Sequence, residues 1–376
     1  MSEILQYLTD HREDIVADME EFVTRETPST DKPRLDDFNQ FLGSYARALG
    51  AEVEVVPVAE RGDHLRVEWR EPGDDREPVL LVGHFDTVWP VGTLEKMPFR
   101  VEGETAYGPG LFDMKGGLVQ GFWAVRALRE TGNLDRPVVF FCNSDEEVHS
   151  IYSRSYIEEE SKAARAALVL ESSYGGQLTT ARKGAGSFMV EVTGREAHAG
   201  SNPFAGISAI EELAHLVIEL HAHTDRESGT TVNVGVIEGG TRVNVVAGRA
   251  SAAVNLRAVT EEEAERMTQV IYELQPKNPK AEITVTGGMV RPPMERDENI
   301  ARLYELSRQL GAELGMEVQE RMSGGGSDGN FSAGLGVPTL DGLGAAGQGA
   351  HATNEHIDLS TIPTRTALLA RLIQEV

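Results

Sequence analysis

Residues 78–84 read PVLLVGH, an apolar run that ends in a histidine. Similar runs of Val, Leu, Phe and Ala occur at 138–142 and 166–170, and a stretch with helical spacing, 116–132, precedes them. Strands that are apolar throughout are typical of a sheet covered on both faces, because neither face meets water. The sequence therefore predicts an α/β fold whose ligand site lies at the carboxyl ends of these strands.

The pattern changes near residue 183. From there to about 293, half-exposed strands such as GSFMVEVTG at 186–194 alternate with helical stretches. This alternation indicates a compact α+β insertion with one open sheet face. Two amphipathic segments after residue 294 are expected to rejoin the first domain. The predicted domains are therefore 1–182 together with 294–376, and an inserted domain of 183–293.

The composition excludes several classes of protein. The chain has 376 residues with 35 Lys and Arg, 60 Asp and Glu, and a formal net charge of −25. This charge repels the phosphate backbone, so nucleic acids are excluded as partners. The single cysteine, Cys142, excludes disulfides within the chain and sites built from several thiolates. Any metal must therefore be held by histidines and carboxylates.

The first 23 residues place apolar side chains at helical spacing, without a basic segment before a hydrophobic run. They predict a surface helix rather than a signal peptide. No stretch of the sequence approaches the roughly 18 apolar residues that cross a bilayer. We therefore expect a soluble, cytoplasmic protein without a membrane partner.

Two segments carry a histidine or a carboxylate at a strand end or in a Gly-rich turn, where the side chain can reach a ligand. His84 and Asp86 follow the run at 78–84, and residues two apart in an extended chain face the same way. Asp86 can therefore accept a hydrogen bond from the His84 ring and leave its other nitrogen for a metal. Asp113 lies in a Gly-rich turn just before a helix. The turn can present it to a ligand, and a helix N-cap is the alternative.

Two further strand ends carry acids. Asp145, Glu146 and Glu147 follow the run at 138–142, and Glu171 follows the next strand. Three adjacent acids repel one another, and a folded protein tolerates this best when a cation lies among them or one acid stays protonated. A solvated acidic turn is the alternative interpretation.

A fourth segment, GQGAHATNE at 347–355, is a Gly-rich loop in which packing does not explain the histidine. Together the segments supply nitrogen and oxygen donors for two divalent cations and leave Glu146 as a base. The five candidate ligands are His84, Asp113, Glu147, Glu171 and His351.

These motifs resemble those of the M20 metallopeptidases, and in particular their glutamate carboxypeptidase branch. The matching segments follow the family's order along nearly the whole chain: GHFDTV, YGPGLFDMKGG, NSDEE, VLES, GREAHAGSNPFAGISAI, NVGVIEGGTRVNVVAGRASAAVNLRA, GGGSDGN and GAHATNE. The resemblance implies a zinc-peptidase catalytic domain with a central mixed sheet flanked by helices. It also implies that this domain is split around a lid that forms a homodimer, and that the peptide bond after Asp113 is cis.

The resemblance also implies how the site is divided. Two Zn²⁺ ions per chain are expected, with Co²⁺ or Mn²⁺ as alternatives. One ion is assigned to His84, Asp113 and Glu171, and the other to Asp113, Glu147 and His351. Glu146 is the expected general acid/base, with Asp86 as a further catalytic residue.

In the lid, the resemblance places His198 in the partner subunit's active site, where it stabilises the oxyanion. The implied contacts of the substrate carboxylate are Arg257, Asn244, Gly325, Gly326 and Ser327. A local cation such as Arg257 suits an anionic substrate in a net-acidic protein.

The expected reaction is hydrolysis of a C-terminal amide or peptide bond that releases an amino acid, such as glutamate, from a small peptide or an N-acyl amino acid. Water activated by the metals attacks the carbonyl, and Glu146 transfers the proton. An N-acyl-amino-acid amidohydrolase or a dipeptidase on the same site is an alternative. A catalytically silent binding protein is a second alternative, which the presence of Glu146 and all five ligands disfavours.

Overall fold

The structure is a computed structural model that describes residues 2–376, and it contains two compact units. The first unit comprises residues 2–181, 296–322 and 327–376, and the second comprises residues 182–295 and 323–326. The sequence pattern gave no sign that the short segment 323–326 belongs with the second unit.

Helices and strands are numbered here in chain order. The α-helices are α1 (Glu3–Asp10), α2 (Arg12–Val23), α3 (Lys32–Ala48), α4 (Gly116–Glu130), α5 (Arg154–Ala163), α6 (Ala209–Ala222), α7 (Glu261–Tyr272), α8 (Glu298–Glu313), α9 (Gly329–Gly334) and α10 (Ile362–Glu375). The strands are β1 (Glu52–Val56), β2 (His64–Trp69), β3 (Val79–His84), β4 (Arg100–Glu102), β5 (Thr105–Tyr107), β6 (Val138–Asn143), β7 (Ala166–Val169), β8 (Ser173–Tyr174), β9 (Leu178–Arg182), β10 (Gly184–Thr193), β11 (Thr231–Gly239), β12 (Arg249–Ala258), β13 (Glu282–Arg291), β14 (Glu320–Ser323), β15 (Thr339–Leu340), β16 (Ala346–Gln348) and β17 (His356–Asp358).

The first unit is built on a six-stranded sheet with the order β1-β2-β6-β3-β7-β15. The strands β6, β3, β7 and β15 are parallel, whereas β1 and β2 form an antiparallel edge. Both β3 and β6 are buried along their whole length, as their continuous apolar sequences predict. The predicted mixed α/β sheet is therefore confirmed, and β6, β3 and β7 end at one edge of it.

Helix α4 is buried on nearly every face, because α1, α2 and α10 pack around it. The sequence predicted one surface helix over the first 23 residues, whereas the structure has two helices there. The chain breaks at His11 into α1 and α2, and their apolar side chains, such as Leu8 and Ile15, are fully buried in the core. Helical spacing predicted the apolar face correctly but could not indicate that other helices cover it.

The second unit is an antiparallel sheet with the order β11-β12-β10-β13. Side chains of β10 alternate between buried and exposed along its length. Leu213 and Leu216 of α6 and Met267 of α7 belong to the same apolar cluster as the buried residues of β10. Met189, on the other face of β10, is 39% exposed, so the predicted open sheet face is confirmed.

A second sheet of the first unit, β4-β5-β17-β16-β8, carries the chain on either side of the loop at 349–355. Strand β17 pairs with β5 so that His356 lies opposite Tyr107. This pairing places that loop beside the Gly-rich turn at 108–110. Within residues 2–376, no helix combines the length and the apolar character required to span a bilayer.

Candidate metal centre

Three neighbouring strands deliver candidate ligands to one edge of the sheet. Strand β3 ends at His84, which is 1% exposed and pairs in register with Asn143 at the end of β6. The acidic residues 145–147 follow β6, and Glu171 follows β7. Because parallel strands end at the same edge, side chains that are distant in sequence meet there.

The ring of His84 is held by Asp86. Nδ1 of His84 lies 3.0 Å from the backbone oxygen of Asp86 and 3.4 Å from its carboxylate Oδ1. The nearer acceptor is thus the backbone oxygen, whereas the sequence indicated the carboxylate. Nδ1 donates to it, so in the neutral ring Nε2 carries the lone pair.

The Asp86 carboxylate also holds the acidic loop in place. Its Oδ1 accepts the backbone N–H of Glu146 at 3.1 Å, and its Oδ2 accepts that of Glu147 at 3.2 Å. Asp86 is fully buried, so these bonds are shielded from water. Asp86 therefore fixes His84 through its backbone oxygen and the two adjacent glutamates through its carboxylate.

Asp113 lies between two histidine rings. Its Oδ1 is 3.3 Å from Nε2 of His84, and its Oδ2 is 3.3 Å from Nε2 of His351. The Asp113–Met114 peptide bond is cis, so this expectation is confirmed. Gly110 has a φ of 69°, a left-handed conformation that glycine adopts without a Cβ clash. The turn thus presents one carboxylate to both histidines.

His351 connects Asp113 with the acidic loop. Its Nε2 lies 3.2 Å from each carboxylate oxygen of Glu147. Asp113 and Glu147 raise the pKa of His351 to about 10, because both stabilise the protonated ring. Burial raises the pKa of Glu147, and the nearby Asp113 charge adds to this effect.

The candidate ligands form two groups. One group is His84, Glu146 and Glu171, and the other is Asp113, Glu147 and His351. Within each group, each residue has one ligand atom that lies within 4.8 Å of the ligand atoms of the other two. Nε2 of His84 is 3.7 Å from Oε1 of Glu171. The structure therefore brings together all five ligands predicted from the sequence, with Glu146 beside them.

This donor set fits divalent cations. Nε2 of His84 and Nε2 of His351 each face two carboxylates, and a lone pair facing carboxylate oxygens is repulsive unless a proton or a cation lies between them. Burial disfavours a charged His84 ring, but Asp113 and Asp86 outweigh it and raise its pKa well above the usual value. The same attraction would hold a cation. Imidazole and carboxylate donors suit Zn²⁺, Co²⁺ and Mn²⁺.

Two residues predicted in the lid occupy one corner of the second unit. The backbone N–H of Ala199 donates to the backbone oxygen of Asn244 at 2.9 Å, beside His198. His198 is exposed, and its Nδ1 accepts the backbone N–H groups of Gly200 and Ser201, each at 3.1 Å. The hydrogen of the neutral ring therefore lies on Nε2, which can donate to a ligand.

The remaining predicted substrate contacts are Arg257, Gly325 and Gly326 in the second unit and Ser327 in the first. Burial lowers the pKa of Arg257, and the charge of Arg291 adds to this effect. Ser327 is fully buried, and its hydroxyl donates to Oδ2 of Asp341 at 2.5 Å. That hydroxyl stabilises the loop, and a role for Ser327 in substrate binding stays a prediction.

Sequence analysis missed two buried carboxylates, Glu355 and Asp328. Asp328 accepts hydrogen bonds from Nδ2 of Asn143 at 2.6 Å and from Oγ of Ser150 at 2.5 Å, on either side of the acidic loop. Glu355 binds the segment that carries Asp113. Asp328 lies in the motif GGGSDGN, and Glu355 lies in the motif GAHATNE. Membership of these motifs was the only feature of the sequence that could have indicated a role for them.

Comparison with known proteins agrees with this geometry. Residues 80–375 match the family model of peptidase family M20/M25/M40. The chain is 30% identical over 383 residues to Carboxypeptidase G2 from Pseudomonas sp. (strain RS-16), covering 99% of this chain and 92% of that protein. It is 27% identical over 326 residues to an acetylornithine deacetylase from Myxococcus xanthus, covering 80% of each chain.

A solved structure supports the fold. The aminopeptidase PepT from Bacillus cereus has a TM-score of 0.78 and 23% sequence identity, over 97% of this chain and 98% of that one. The family match and the relative that covers almost the whole chain lead to the same conclusion. The chain belongs to the peptidase family M20/M25/M40, whose members are metal-dependent hydrolases.

Proposed function

We propose that this hydrolase is a carboxypeptidase that cleaves a C-terminal amide or peptide bond and releases an amino acid, such as glutamate, from a small peptide or an N-acyl amino acid. The observation that carries the proposal is the position of Glu146, whose carboxylate lies within 4.8 Å of ligand atoms of His84 and Glu171. A base so close to a candidate metal site is what hydrolysis of an amide by water requires. The similarity to Carboxypeptidase G2 supports the type of bond.

Two divalent cations, Zn²⁺ or alternatively Co²⁺ or Mn²⁺, are proposed for this site. One would be held by His84, Asp113 and Glu171, and the other by Asp113, Glu147 and His351. Asp113 is the candidate shared ligand, because its two oxygens face different histidines. When bound, such ions polarise a carbonyl oxygen and make water more acidic.

In the proposed reaction, Glu146 takes a proton from the attacking water. The oxygen of that water bonds to the carbonyl carbon, and the carbon–nitrogen bond then breaks. Glu146 gives its proton to the leaving nitrogen, so the products are a carboxylic acid and an amine. Asp86 supports this transfer, because its bond to the backbone N–H of Glu146 fixes where the acidic loop begins.

Five residues of the second unit are proposed to contact the substrate. The Nε2–H group of His198 would donate to the carbonyl oxygen as negative charge develops, and in a homodimer it would serve the partner's site. Arg257, Asn244 and the backbone of Gly325 and Gly326 would bind the substrate carboxylate. A guanidinium can bind a carboxylate through two parallel hydrogen bonds, which also orients the scissile bond.

An N-acyl-amino-acid amidohydrolase is a second candidate function. The similarity to an acetylornithine deacetylase favours it, because that name describes removal of an acyl group from an amino acid derivative. The bond cleaved is again an amide, so the same residues would act in the same order. The two functions differ in whether the enzyme selects the acyl group or the amino acid.

A panel of N-acyl amino acids tests both candidates. We expect about two bound ions per chain, activity lost on chelation, and activity restored by Zn²⁺, Co²⁺ or Mn²⁺. Strong dependence of kcat/KM on the C-terminal amino acid supports the carboxypeptidase, whereas strong dependence on the acyl group supports the amidohydrolase. Full activity of a metal-free preparation would contradict both, and metal binding without any hydrolysis would favour a silent binding protein.

The Asp86→Asn variant is expected to lower kcat by about 10- to 10²-fold. Asparagine has one oxygen where Asp86 has two, so its amide N–H₂ must face the backbone N–H of Glu146 or Glu147. The matched control is Asp225→Asn, since Asp225 also accepts two backbone N–H groups but lies in the second unit. Steady-state kinetics of the metal-loaded variants measure the difference. Equal kcat for both variants would exclude a positioning role for Asp86.

A further inference from the structure

We propose that Glu355 is a positioning residue that ties together the segments carrying the candidate metal ligands. Its fully buried side chain has no part in the reaction proposed above, and it lies four residues after His351. The inference rests on the proposed function, because it requires that metal ions bind at this site.

The Glu355 carboxylate has four donors. Its Oε1 accepts the backbone N–H groups of Phe112 at 2.9 Å and Asp113 at 3.0 Å. Its Oε2 accepts the backbone N–H of Gly110 and the indole N–H of Trp89, each at 2.9 Å. A proton on either oxygen would face an N–H group, so this arrangement requires the ionised carboxylate.

These bonds join three parts of the chain. Gly110 and Asp113 belong to the turn that presents Asp113 to both histidines, and Trp89 follows Asp86 by three residues. Glu355 itself belongs to the loop that carries His351, and its backbone oxygen accepts the N–H of Gly108 at 3.4 Å. Each of the three segments supplies a residue of the candidate site, so one side chain sets their relative positions.

The charge of Glu355 is maintained by these donors. All four groups around its two oxygens are N–H donors, and such donors favour the ionised carboxylate over the protonated form. Glutamine has nearly the same shape as glutamate, but it has one oxygen and one N–H₂ group. The N–H₂ group would face either Phe112 and Asp113 or Gly110 and Trp89, so one pair of donors would lose its acceptor.

The experiment is a titration of the metal-free wild type and Glu355→Gln with Zn²⁺ and Co²⁺ against a chelating indicator. We expect Glu355→Gln to bind the metal about 10- to 100-fold more weakly. We also expect a changed Co²⁺ absorption spectrum, because that spectrum reports the geometry of the ligands. The matched control is Glu26→Gln, since Glu26 accepts the backbone N–H groups of Gly92 and Leu94. It should bind metal as the wild type does.

A purely structural role for Glu355 predicts a different result. Glu355→Gln would then lose thermal stability while its metal affinity and Co²⁺ spectrum stayed those of the wild type, and this would overturn the inference. If Glu355→Gln does not fold, Glu355→Asp keeps the charge and both oxygens but is one methylene shorter. Weaker metal binding by Glu355→Asp supports the inference, and unchanged affinity overturns it. A wild type that binds no metal would instead overturn the proposed function, and with it this inference.

Discussion

The Glu146→Gln variant is expected to lose at least about 10²-fold in kcat while it keeps nearly all its metal. Glutamine has almost the same shape as glutamate but cannot take a proton from water near neutral pH. The backbone N–H of residue 146 still donates to Asp86, so the acidic loop should keep its conformation. Steady-state kinetics at saturating substrate, together with metal analysis of the same preparation, measure both quantities.

The matched variant is Glu147→Gln, which makes the same chemical change one residue away. Both oxygens of Glu147 lie 3.2 Å from Nε2 of His351, so this variant should lose metal affinity. Excess metal should then restore part of its activity, whereas it should restore none to Glu146→Gln. Identical behaviour of the two variants would show that the proposed division of roles between the adjacent glutamates is wrong.

The strand ends of the site could be predicted from the sequence for a physical reason. A run such as 78–83 or 166–170 has no polar face, so it must lie inside a covered sheet. A polar residue directly after such a run must then lie at the edge of the sheet. This reasoning placed His84 and Glu171 at one edge, and the structure brings them within 3.7 Å of each other.

The buried carboxylates could not be predicted in the same way. Glu355 lies in a polar stretch of sequence, as a surface acid does. Its hydrogen bonds with Gly110 and Asp113 join residues that are more than 240 positions apart in the chain. Such bonds depend on the pairing of β17 with β5, which short-range patterns do not encode.

Burial was harder to predict than periodicity. Helical spacing identified an apolar face in the first 23 residues, but it could not indicate that α4 and α10 cover this face. The break at His11 was also missed. His11 has a φ of −104° and a ψ of 19°. Its Nδ1 donates a hydrogen bond to the backbone oxygen of Tyr7, and its ring stacks against the Tyr7 ring. Local polar contacts of this kind compete with the hydrogen bonds of the helix. The spacing of the apolar residues gives no sign of where this happens.

The His198→Ala variant should lower kcat by about 10²- to 10³-fold, with little change in KM or in metal content. Its Nδ1 accepts two backbone N–H groups, so the Nε2–H group is already oriented as a donor before a substrate binds. Such a donor stabilises charge that exists only in the transition state. The control is His221→Ala, because His221 also lies in the second unit and accepts the backbone N–H of Val234. It should leave kcat unchanged.

Mixing two inactive variants decides whether His198 acts across a dimer. Glu146→Gln subunits and His198→Ala subunits are combined in equal amounts under conditions that exchange subunits, and exchange is checked by mass spectrometry. With random exchange, half of the dimers are hybrids, and one of the two sites in each hybrid has both groups intact. Recovery of roughly a quarter of the wild-type activity is therefore expected if His198 serves the partner's site. A histidine that serves its own subunit leaves both sites of every hybrid defective, so demonstrated exchange without recovered activity would exclude the cross-subunit role.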